Sequence, residues 1–277
     1  MTQPGTRPLP DLVLLHAFPL DASMWEQQRA ALAAMQPDRA GARAAVGRVL
    51  TPHQRGFGGT ELGTDEPSLD RVADDVAALL DRAESHRVIL GGLSMGGYAV
   101  MACLRQAAVR HRCVGIILAD TRPAPDPPAA VERRLRMADR VLAEGAGLLQ
   151  DETVPSLLGE TTWRERPGVV QRVRAIVGSV PAAAVAWAQR AMAARPDSTQ
   201  TLRGADLPAL VLAGAEDVLT PPEECEAMAQ LLPRARFVVV AAAGHLTALE
   251  APAVFSAAVS GFCVMLAGEA RRATPGR

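Results

Sequence analysis

The chain has 277 residues, of which 49% are hydrophobic and 21% charged, a balance that favours one large α/β domain with a sizeable buried core. Its 29 lysines and arginines nearly match its 30 aspartates and glutamates, for a formal net charge of -1. This charge gives no electrostatic reason to expect a nucleic acid or an anionic membrane as partner, so a small molecule fits better.

Six short runs rich in valine, isoleucine and leucine predict β-strands. They show little alternation of apolar and polar residues, as expected of strands covered on both faces, so we predict a mainly parallel sheet. The runs are residues 12–15, 46–50, 88–91, 114–119, 209–213 and 236–240.

Helical patterns occupy the segments between these strands. Val72, Val76 and Leu80 recur along one face and aspartates take the other, which predicts an amphipathic helix lying on the sheet. Two further helix starts are predicted from capping boxes, SMWE at residues 23–26 and TPPE at residues 220–223.

The alternation of strand and helix stops between about residues 121 and 205, where alanine, arginine and proline are frequent and the patterning is helical. Helices are predicted near 169–177 and 182–194. A third is predicted from four apolar residues on one face, Val131, Leu135, Ala138 and Leu142. We interpret residues 121–205 as a helical insertion.

The cysteines and the first ten residues indicate the cellular compartment in which the protein is found. The four cysteines are widely spaced among apolar neighbours, which predicts buried thiols rather than disulfides or metal ligands. The opening MTQPGTRPLP lacks the apolar stretch of a signal peptide, and we see no run of the ~18 apolar residues that a membrane helix needs. Together these features predict a cytoplasmic protein without a membrane anchor.

The stretch VILGGLSMGG, residues 88–97, predicts a strand that runs through the pattern G-x-S-x-G into a helix. A sharp turn of this kind holds the serine in a strained backbone conformation, and the flanking glycines let neighbouring segments approach without Cβ clashes. Ser94 is therefore a candidate nucleophile. The pattern alone is also compatible with a structural turn, so a base and an acid must be found.

His245 and Asp217 supply these partners. His245 follows the strand predicted at 236–240, and Asp217 follows the strand predicted at 209–213. Both therefore lie on loops past the carboxyl ends of strands, where the sites of open α/β sheets are found. The order Ser94, Asp217, His245 indicates a catalytic triad.

Four motifs, HAFPLDASMW, GLSMGG, GAEDVLTPP and GHLTALEAP, occur in this order and resemble those of the α/β-hydrolase superfamily, more narrowly its small, cap-bearing bacterial esterases and lactonases. The resemblance covers almost the whole chain. It implies a mostly parallel, eight-stranded sheet flanked by helices, with a helical cap, or lid, inserted after the sixth strand. Residues 121–205 would form this cap, and residues 1–120 with 206–277 the core domain.

The resemblance also implies an oxyanion hole. In the family, the loop after the third strand donates one backbone N–H and the residue after the nucleophile donates another, which here implies the amides of Phe18 and Met95, with His16 holding the loop. Ala17 stands where the family usually has glycine. A positive φ at Ala17 would strain the loop by roughly 1 kcal/mol, whereas a negative φ would be harmless.

Several residues have alternative interpretations. Asp120 occupies a position that supplies the acid in some members of the family. His53 is interpreted as a surface or loop-packing residue, with substrate contact as the alternative. Trp163, Trp187 and Met192 in the insertion are candidates for an apolar substrate pocket, or for core packing.

No spacing of histidines, cysteines and carboxylates is typical of a metal site, and no nucleotide-binding glycine loop follows the first strand, so no metal or cofactor is expected. The predicted function is hydrolysis of an ester or lactone of a small, largely apolar substrate through an acyl-enzyme. The same triad also serves hydrolysis of carbon–carbon bonds or thioesters, and cofactor-free perhydrolysis. A non-catalytic ligand-binding homologue is the alternative from another class.

Overall fold

The computed structural model describes residues 8–35 and 44–272. Its six strands form one parallel sheet in the order β2-β1-β3-β4-β5-β6. The strands are β1 Asp11–Leu15, β2 Val49–Leu50, β3 Val88–Leu93, β4 Cys113–Ala119, β5 Pro208–Gly214 and β6 Arg234–Val240. Every residue of β1, β3 and β5 is buried, which explains why these segments are continuous apolar runs.

The expected number of strands was wrong, because the resemblance implied eight and the described residues form six. The described chain ahead of β1 is Pro8, Leu9 and Pro10, and proline has no amide hydrogen with which to pair in a sheet. The helical segment predicted as an insertion accordingly follows β4, the fourth strand among the described residues, and not a sixth. The parallel α/β architecture agrees with the prediction.

The described residues also form α-helices between and after these strands. They are α1 Glu26–Leu32, α2 Leu69–Arg82, α3 Met95–Arg105, α4 Ala107–Arg110, α5 Pro128–Glu144, α6 Leu149–Glu152, α7 Val154–Leu157, α8 Glu160–Glu165, α9 Pro167–Gly178, α10 Ala182–Ala193, α11 Thr199–Arg203, α12 Pro222–Ala229, α13 Thr247–Glu250 and α14 Pro252–Arg272. Helix α3 packs against β1, β3 and β4, while α14 packs against α1, β5 and β6. The sheet is therefore enclosed by the segments that follow its strands.

Between β4 and β5 the described chain is helical, from α5 to α11. Helices α9 and α10 agree with the two predicted near 169–177 and 182–194. The apolar face predicted for α5 was partly wrong, because Leu135 and Leu142 are exposed while Ala138 and Val141 are buried. The division into a core domain and a cap at 121–205 stays a prediction.

Both predicted capping boxes were wrong about the capping side chain. Asp21, not Ser23, caps the 3₁₀ turn Ala22–Trp25 by accepting a hydrogen bond from the Ser23 amide. The Thr220 hydroxyl, which was expected to cap α12, donates instead to the carboxylate of Asp217. In each case a nearby aspartate bonds to the serine or threonine that was expected to be the cap: Asp21 to Ser23 and Asp217 to Thr220.

Helix α14 is, by length and composition, apolar enough to cross a membrane, with a mean hydropathy of 1.6 over its most apolar window, contrary to our expectation. The core helix of a soluble protein passes the same test. Phe255, Val259 and Phe262 are buried, and the Phe255 ring packs against Trp25 with 5.7 Å between centroids. One face of α14 therefore packs on the core, whereas Val254 and Val264 on the same helix are exposed.

Candidate active site

Ser94 lies at the junction of β3 and α3, with φ 55° and ψ -113°. A side-chain-bearing residue keeps this unfavourable backbone only where its surroundings fix it. A Cβ on Gly92 would lie 2.1 Å from the Gly96 carbonyl oxygen, and a Cβ on Gly96 would lie 2.1 Å from the Leu15 carbonyl oxygen. The two glycines therefore permit the tight turn that places Ser94 at the carboxyl end of the sheet.

Ser94, His245 and Asp217 form a continuous hydrogen-bonded chain. The His245 Nε2 lies 2.7 Å from the Ser94 Oγ, and the His245 Nδ1 lies 2.8 Å from the Asp217 Oδ2. A carboxylate only accepts, so Nδ1 carries the imidazole proton and Nε2 is left to accept the serine proton. All three residues are buried, and burial strengthens these contacts by excluding water.

The loop that carries Asp217 also holds its carboxylate. Its Oδ1 accepts from the amides of Leu219 at 2.8 Å and Thr220 at 3.1 Å, and its Oδ2 accepts from the Thr220 hydroxyl at 2.6 Å. Burial acts to raise the pKa of Asp217, but the His245 ring and the hydrogen bonds from His245 and Thr220 outweigh it and hold the pKa below 3.8. The carboxylate therefore stays ionised at neutral pH.

Asp120, the alternative acid, is fully buried at the end of β4. Its Oδ1 accepts from the Gly214 amide at 3.0 Å, and its Oδ2 pairs with the Thr247 hydroxyl. Burial and the nearby charge of Asp217 raise the pKa of Asp120 well above 3.8. Asp120 therefore ties β5 to the segment after His245, while the ring of His245 faces Asp217.

His16 and Gln54 fix the loop after β1. The Gln54 backbone amide donates to the His16 Nε2 at 2.9 Å, and the Gln54 side-chain amide donates to the His16 carbonyl at 2.7 Å. Because Nε2 accepts, the ring proton lies on Nδ1, which is 3.1 Å from the Ala17 carbonyl. Burial lowers the pKa of His16 to about 4. The ring is therefore neutral and braces the loop. Gln54 was not singled out in the sequence.

Ala17 causes no strain in this loop. Among the described residues, a positive φ outside glycine occurs at Glu84, Ser94, Asp120 and Ala242. The φ of Ala17 is therefore negative, a conformation open to any residue, and the absence of the family's usual glycine is harmless.

The backbone amides of Phe18 and Met95 are the groups predicted to form the oxyanion hole. Phe18 follows Ala17, and no hydrogen bond joins its backbone N–H to another residue in the described ranges. Met95 opens α3, and the first amide of a helix has no intrahelical acceptor. Both N–H groups are thus free to donate to a bound oxygen, and their joint role as an oxyanion hole stays a prediction.

The three residues predicted to line a pocket have varied surroundings. Trp163 in α8 is 37% exposed. Trp187 in α10 is buried, and its Nε1 donates to the Asp65 carbonyl at 3.1 Å. Met192 is buried, with its Sδ 3.5 Å from an Arg134 guanidinium nitrogen. Contact of these residues with a substrate stays a prediction.

Two further expectations concern histidine and metal. His53 is exposed, and its Nδ1 accepts from the Ala22 amide at 3.2 Å, a loop-packing contact. In the part of the chain that the structure describes, no group of three or more histidine, cysteine, aspartate or glutamate side chains is placed to hold a metal ion.

Comparison with known proteins identifies the family to which this chain belongs. The sequence profile of a family described as "Alpha/beta hydrolase family" matches residues 12–258. The chain belongs to this family. The resemblance drawn from the four motifs is therefore confirmed, and so is the fold class that it implied.

Three relatives of this alpha/beta hydrolase are informative. A structure of a thermophilic esterase from Thermogutta terrifontis is 39% identical, with a TM-score of 0.86 and coverage of 94% of this chain and 92% of that chain. The 3-oxoadipate enol-lactonase 1 of Acinetobacter baylyi is 27% identical and covers 93% of this chain and 90% of its own. A putative non-heme chloroperoxidase of Synechocystis is 27% identical, and the match covers 78% of this chain and 77% of that protein. The esterase and lactonase relatives support a hydrolase that acts on small molecules.

Proposed function

We propose that this alpha/beta hydrolase is a serine hydrolase that cleaves a carboxylic ester or a lactone of a small, largely apolar substrate through an acyl-enzyme. The observation that carries the proposal is the hydrogen-bonded chain from Asp217 through His245 to Ser94. Relatives named as an esterase and an enol-lactonase support the type of bond cleaved.

In the proposed acylation, the Ser94 Oγ attacks the substrate carbonyl while its proton passes to the His245 Nε2, 2.7 Å away. Asp217, whose pKa lies below 3.8, stays ionised and stabilises the imidazolium that forms. His245 then gives the proton to the leaving alkoxide oxygen, and the ester or lactone bond breaks.

The charge that develops on the carbonyl oxygen is proposed to be held by the amides of Phe18 and Met95. These donors are backbone groups fixed by the loop after β1 and by α3, so they need no reorganisation during the reaction. Loss of one such donor costs about 10² to 10³ in kcat. Met95 directly follows Ser94 in the tight turn between β3 and α3, the elbow, so the proposed oxyanion hole and the nucleophile share this turn.

Deacylation reverses these roles. Water gives a proton to the His245 Nε2 and attacks the acyl-enzyme, which releases the carboxylic acid and returns the proton to Ser94. Trp163, Trp187 and Met192 are proposed to line the apolar part of the substrate pocket. The proposed cycle uses no metal and no cofactor.

Perhydrolysis is the second candidate, favoured by the relative named as a putative non-heme chloroperoxidase. In this reaction a carboxylic acid acylates Ser94 with release of water, and hydrogen peroxide then attacks the acyl-enzyme to give a peroxy acid. The triad and oxyanion hole would act as in hydrolysis, with peroxide in place of water. The two candidates therefore differ in the nucleophile that the pocket admits.

Buried thiols support a cytoplasmic location, which we include in the proposal. All four cysteines are free and buried. Burial raises the pKa of Cys113, Cys225 and Cys263 to about 12, so these thiols are poorly reactive. Unpaired cysteines are typical of proteins in a reducing compartment.

The test is hydrolysis of p-nitrophenyl esters of increasing acyl length, and of a small lactone, by the wild type and by Ser94→Ala. We expect the wild type to turn over and Ser94→Ala to lose at least about 10³ in kcat. Ser179→Ala, which changes an exposed serine after α9, is the matched control and should behave as wild type.

Labelling with a fluorophosphonate identifies the nucleophile directly, and mass spectrometry should place the adduct on Ser94. Failure of the wild type both to hydrolyse the panel and to react with the probe would contradict the proposal and favour a ligand-binding role. Formation of peroxy acid from acetate and hydrogen peroxide, faster than ester hydrolysis, would favour the second candidate.

A further inference from the structure

The buried carboxylate of Glu250 joins the helical insertion to the loop that carries the base. Glu250 is 3% exposed. Its Oε1 accepts from the amides of Gly244 and Leu246, each at 3.0 Å, and its Oε2 accepts from the Gly159 amide at 2.8 Å. One side chain therefore holds the residues on both sides of His245 and also the residue that precedes α8.

Glu216 makes a second connection, next to the acid. Its carboxylate accepts from the Thr161 amide at 2.8 Å and from the Thr161 hydroxyl at 2.5 Å. Burial acts to raise the pKa of Glu216, but the bonds from Thr161 outweigh it and hold the pKa below 4.5. The Glu216 amide also donates to the Ala243 carbonyl at 2.8 Å. The loops of the acid and the base are thus bonded to each other and to α8.

The backbones at this point are in direct contact, independently of the two carboxylates. A Cβ on Gly244 would lie 2.2 Å from the Gly159 amide nitrogen. A Cβ on Gly214, at the end of β5, would lie 2.0 Å from the Gly244 carbonyl oxygen. Only glycine fits such an approach. Gly244, in the loop that carries His245, is therefore packed tightly between Gly159 of the insertion and Gly214 at the end of β5.

We propose that Glu250 and Glu216 are positioning residues. They couple the position of residues 159–161, in the helical insertion, to the position of His245 between Asp217 and Ser94. The proposal rests on the proposed function, because it concerns the reaction of the same triad. Neither glutamate acts on the substrate, and both act through the backbone around the triad. A misplacement of about 1 Å costs about 10² in rate.

The substitution Glu250→Gln should weaken this coupling selectively. Glutamine at position 250 keeps one accepting oxygen but replaces the other with an NH₂ group, which donates and does not accept. It can therefore satisfy either the amides of Gly244 and Leu246 or the amide of Gly159, but not both. The side-chain volume is almost unchanged, so the core packing is kept.

The experiment compares Glu250→Gln with the wild type at equal numbers of active sites, counted by fluorophosphonate titration of Ser94. We expect kcat per titrated site to fall by about tenfold or more, with little change in KM. Glu226→Gln, an exposed glutamate of α12, is the matched control and should keep the wild-type kcat.

Thr161 offers a second route that leaves both glutamates in place. Thr161→Val keeps the shape of the side chain but removes the hydroxyl bonded to Glu216, and should lower kcat per site less than Glu250→Gln does. Thr161→Ser restores the hydroxyl and should restore kcat. A purely volumetric role of Thr161 predicts the reverse order, because valine preserves the volume better than serine does.

Hydrogen exchange supplies a readout that does not depend on activity. In Glu250→Gln we expect the amides of 158–162 and of 243–247 to exchange faster together. An unchanged kcat per titrated site, or faster exchange in one segment alone, would overturn the coupling. If the wild type neither hydrolyses esters nor reacts with the probe, the proposed function fails, and the exchange result alone decides whether the two segments are coupled.

Discussion

At the scale of single residues, the choice of acid distinguishes two buried aspartates. Asp217 binds the His245 Nδ1 at 2.8 Å, whereas the oxygens of Asp120 are taken by Gly214 and Thr247. Asp217→Asn leaves an NH₂ or a neutral oxygen toward the ring and favours the wrong imidazole tautomer. We expect kcat to fall by about 10⁴, as measured at saturating ester.

Asp120→Asn is the matched variant for this measurement. An asparagine oxygen can accept from the Gly214 amide, and its NH₂ can donate to the Thr247 hydroxyl, so the contacts of Asp120 are nearly all retained. We expect kcat within a few fold of the wild type. The opposite ranking of the two variants would make Asp120 the acid of the triad.

Asp120 also makes stability depend on pH. Its pKa is raised in the folded protein, whereas in the unfolded chain it titrates near 3.8. Between these two values the folded state binds the extra proton, so this group lowers stability as the pH rises through that window. Asp120→Asn removes the titration, and its free energy of unfolding relative to wild type should increase with pH above about 4. Urea unfolding of both proteins across the range measures this; a constant difference would contradict the raised pKa.

The residues that carry the proposed chemistry could be predicted from the sequence, and so could His16, but most of the other residues that support them could not. Ser94, Asp217 and His245 each follow a predicted strand within a local motif. Glu250 looks like an ordinary helix residue, because its partner Gly159 lies 91 positions away in the chain. The sequence predicts Thr220 to be a helix cap, since it does not show that the carboxylate of Asp217 accepts a hydrogen bond from the Thr220 hydroxyl.

At the scale of secondary-structure elements, the elbow between β3 and α3 depends on the absence of Cβ atoms. Gly92→Ala would place a methyl group 2.1 Å from a backbone oxygen that cannot move away without displacing α3. We expect the free energy of unfolding to fall by about 3 kcal/mol or more, as measured by urea denaturation.

Gly261→Ala is the control for this prediction. Gly261 is exposed in α14, and an added Cβ meets no atom within 4 Å. Alanine is the better helix former, so this variant should gain about 0.5 to 1 kcal/mol. If both glycines tolerated alanine equally, close approach would not be what the elbow requires.

Element prediction succeeded where burial on both faces gives a continuous apolar run, as in β3 and β5, and was weaker where burial is partial. The strand expected at 46–50 is reduced to Val49–Leu50, both half-buried at the edge of the sheet. In α5 the spacing of apolar residues indicated a helix correctly. It did not identify the buried face, because Leu135 and Leu142 point to solvent.

At the scale of the whole molecule, a buried ion cluster joins the two ends of the helical segment between β4 and β5. The Asp126 carboxylate contacts the guanidinium groups of Arg122, Arg134 and Arg195 at 3.2, 2.5 and 2.8 Å. Arg195, after α10, also lies over the ring of Tyr98 in α3, 4.1 Å from the centroid. Both ends of the insertion are therefore held by one carboxylate close to the elbow.

Asp126→Asn would leave the buried Arg195 without its counter-charge, so we expect a loss of about 3 kcal/mol or more at pH 7. Burial acts to raise the pKa of Asp126, but the arginines outweigh it and hold the pKa below 3.8. The stabilisation is therefore present above pH 3.8 and is lost as the pH falls through the lower, folded-state value. Thermal melts of the two proteins should converge in acid.

Asp139→Asn breaks an exposed bridge to Arg190 within the same insertion, 2.8 Å long, and is the matched control. Exposed pairs contribute about 0 to 1 kcal/mol, so this variant should melt close to wild type. Equal losses at Asp126 and Asp139 would contradict an anchoring role for the buried cluster.

The contact of Trp25 with Phe255 has a consequence for how the protein is made. The Gln28 side chain also donates to the Ala248 carbonyl at 2.8 Å, so α1 packs on residues translated more than two hundred codons later. A nascent chain on the ribosome therefore exposes the apolar side of α1 until residues 248–255 have emerged. During that time Ser94 has already emerged without His245, the base of the proposed triad, so we expect Ser94 to stay unreactive until residue 245 has been added.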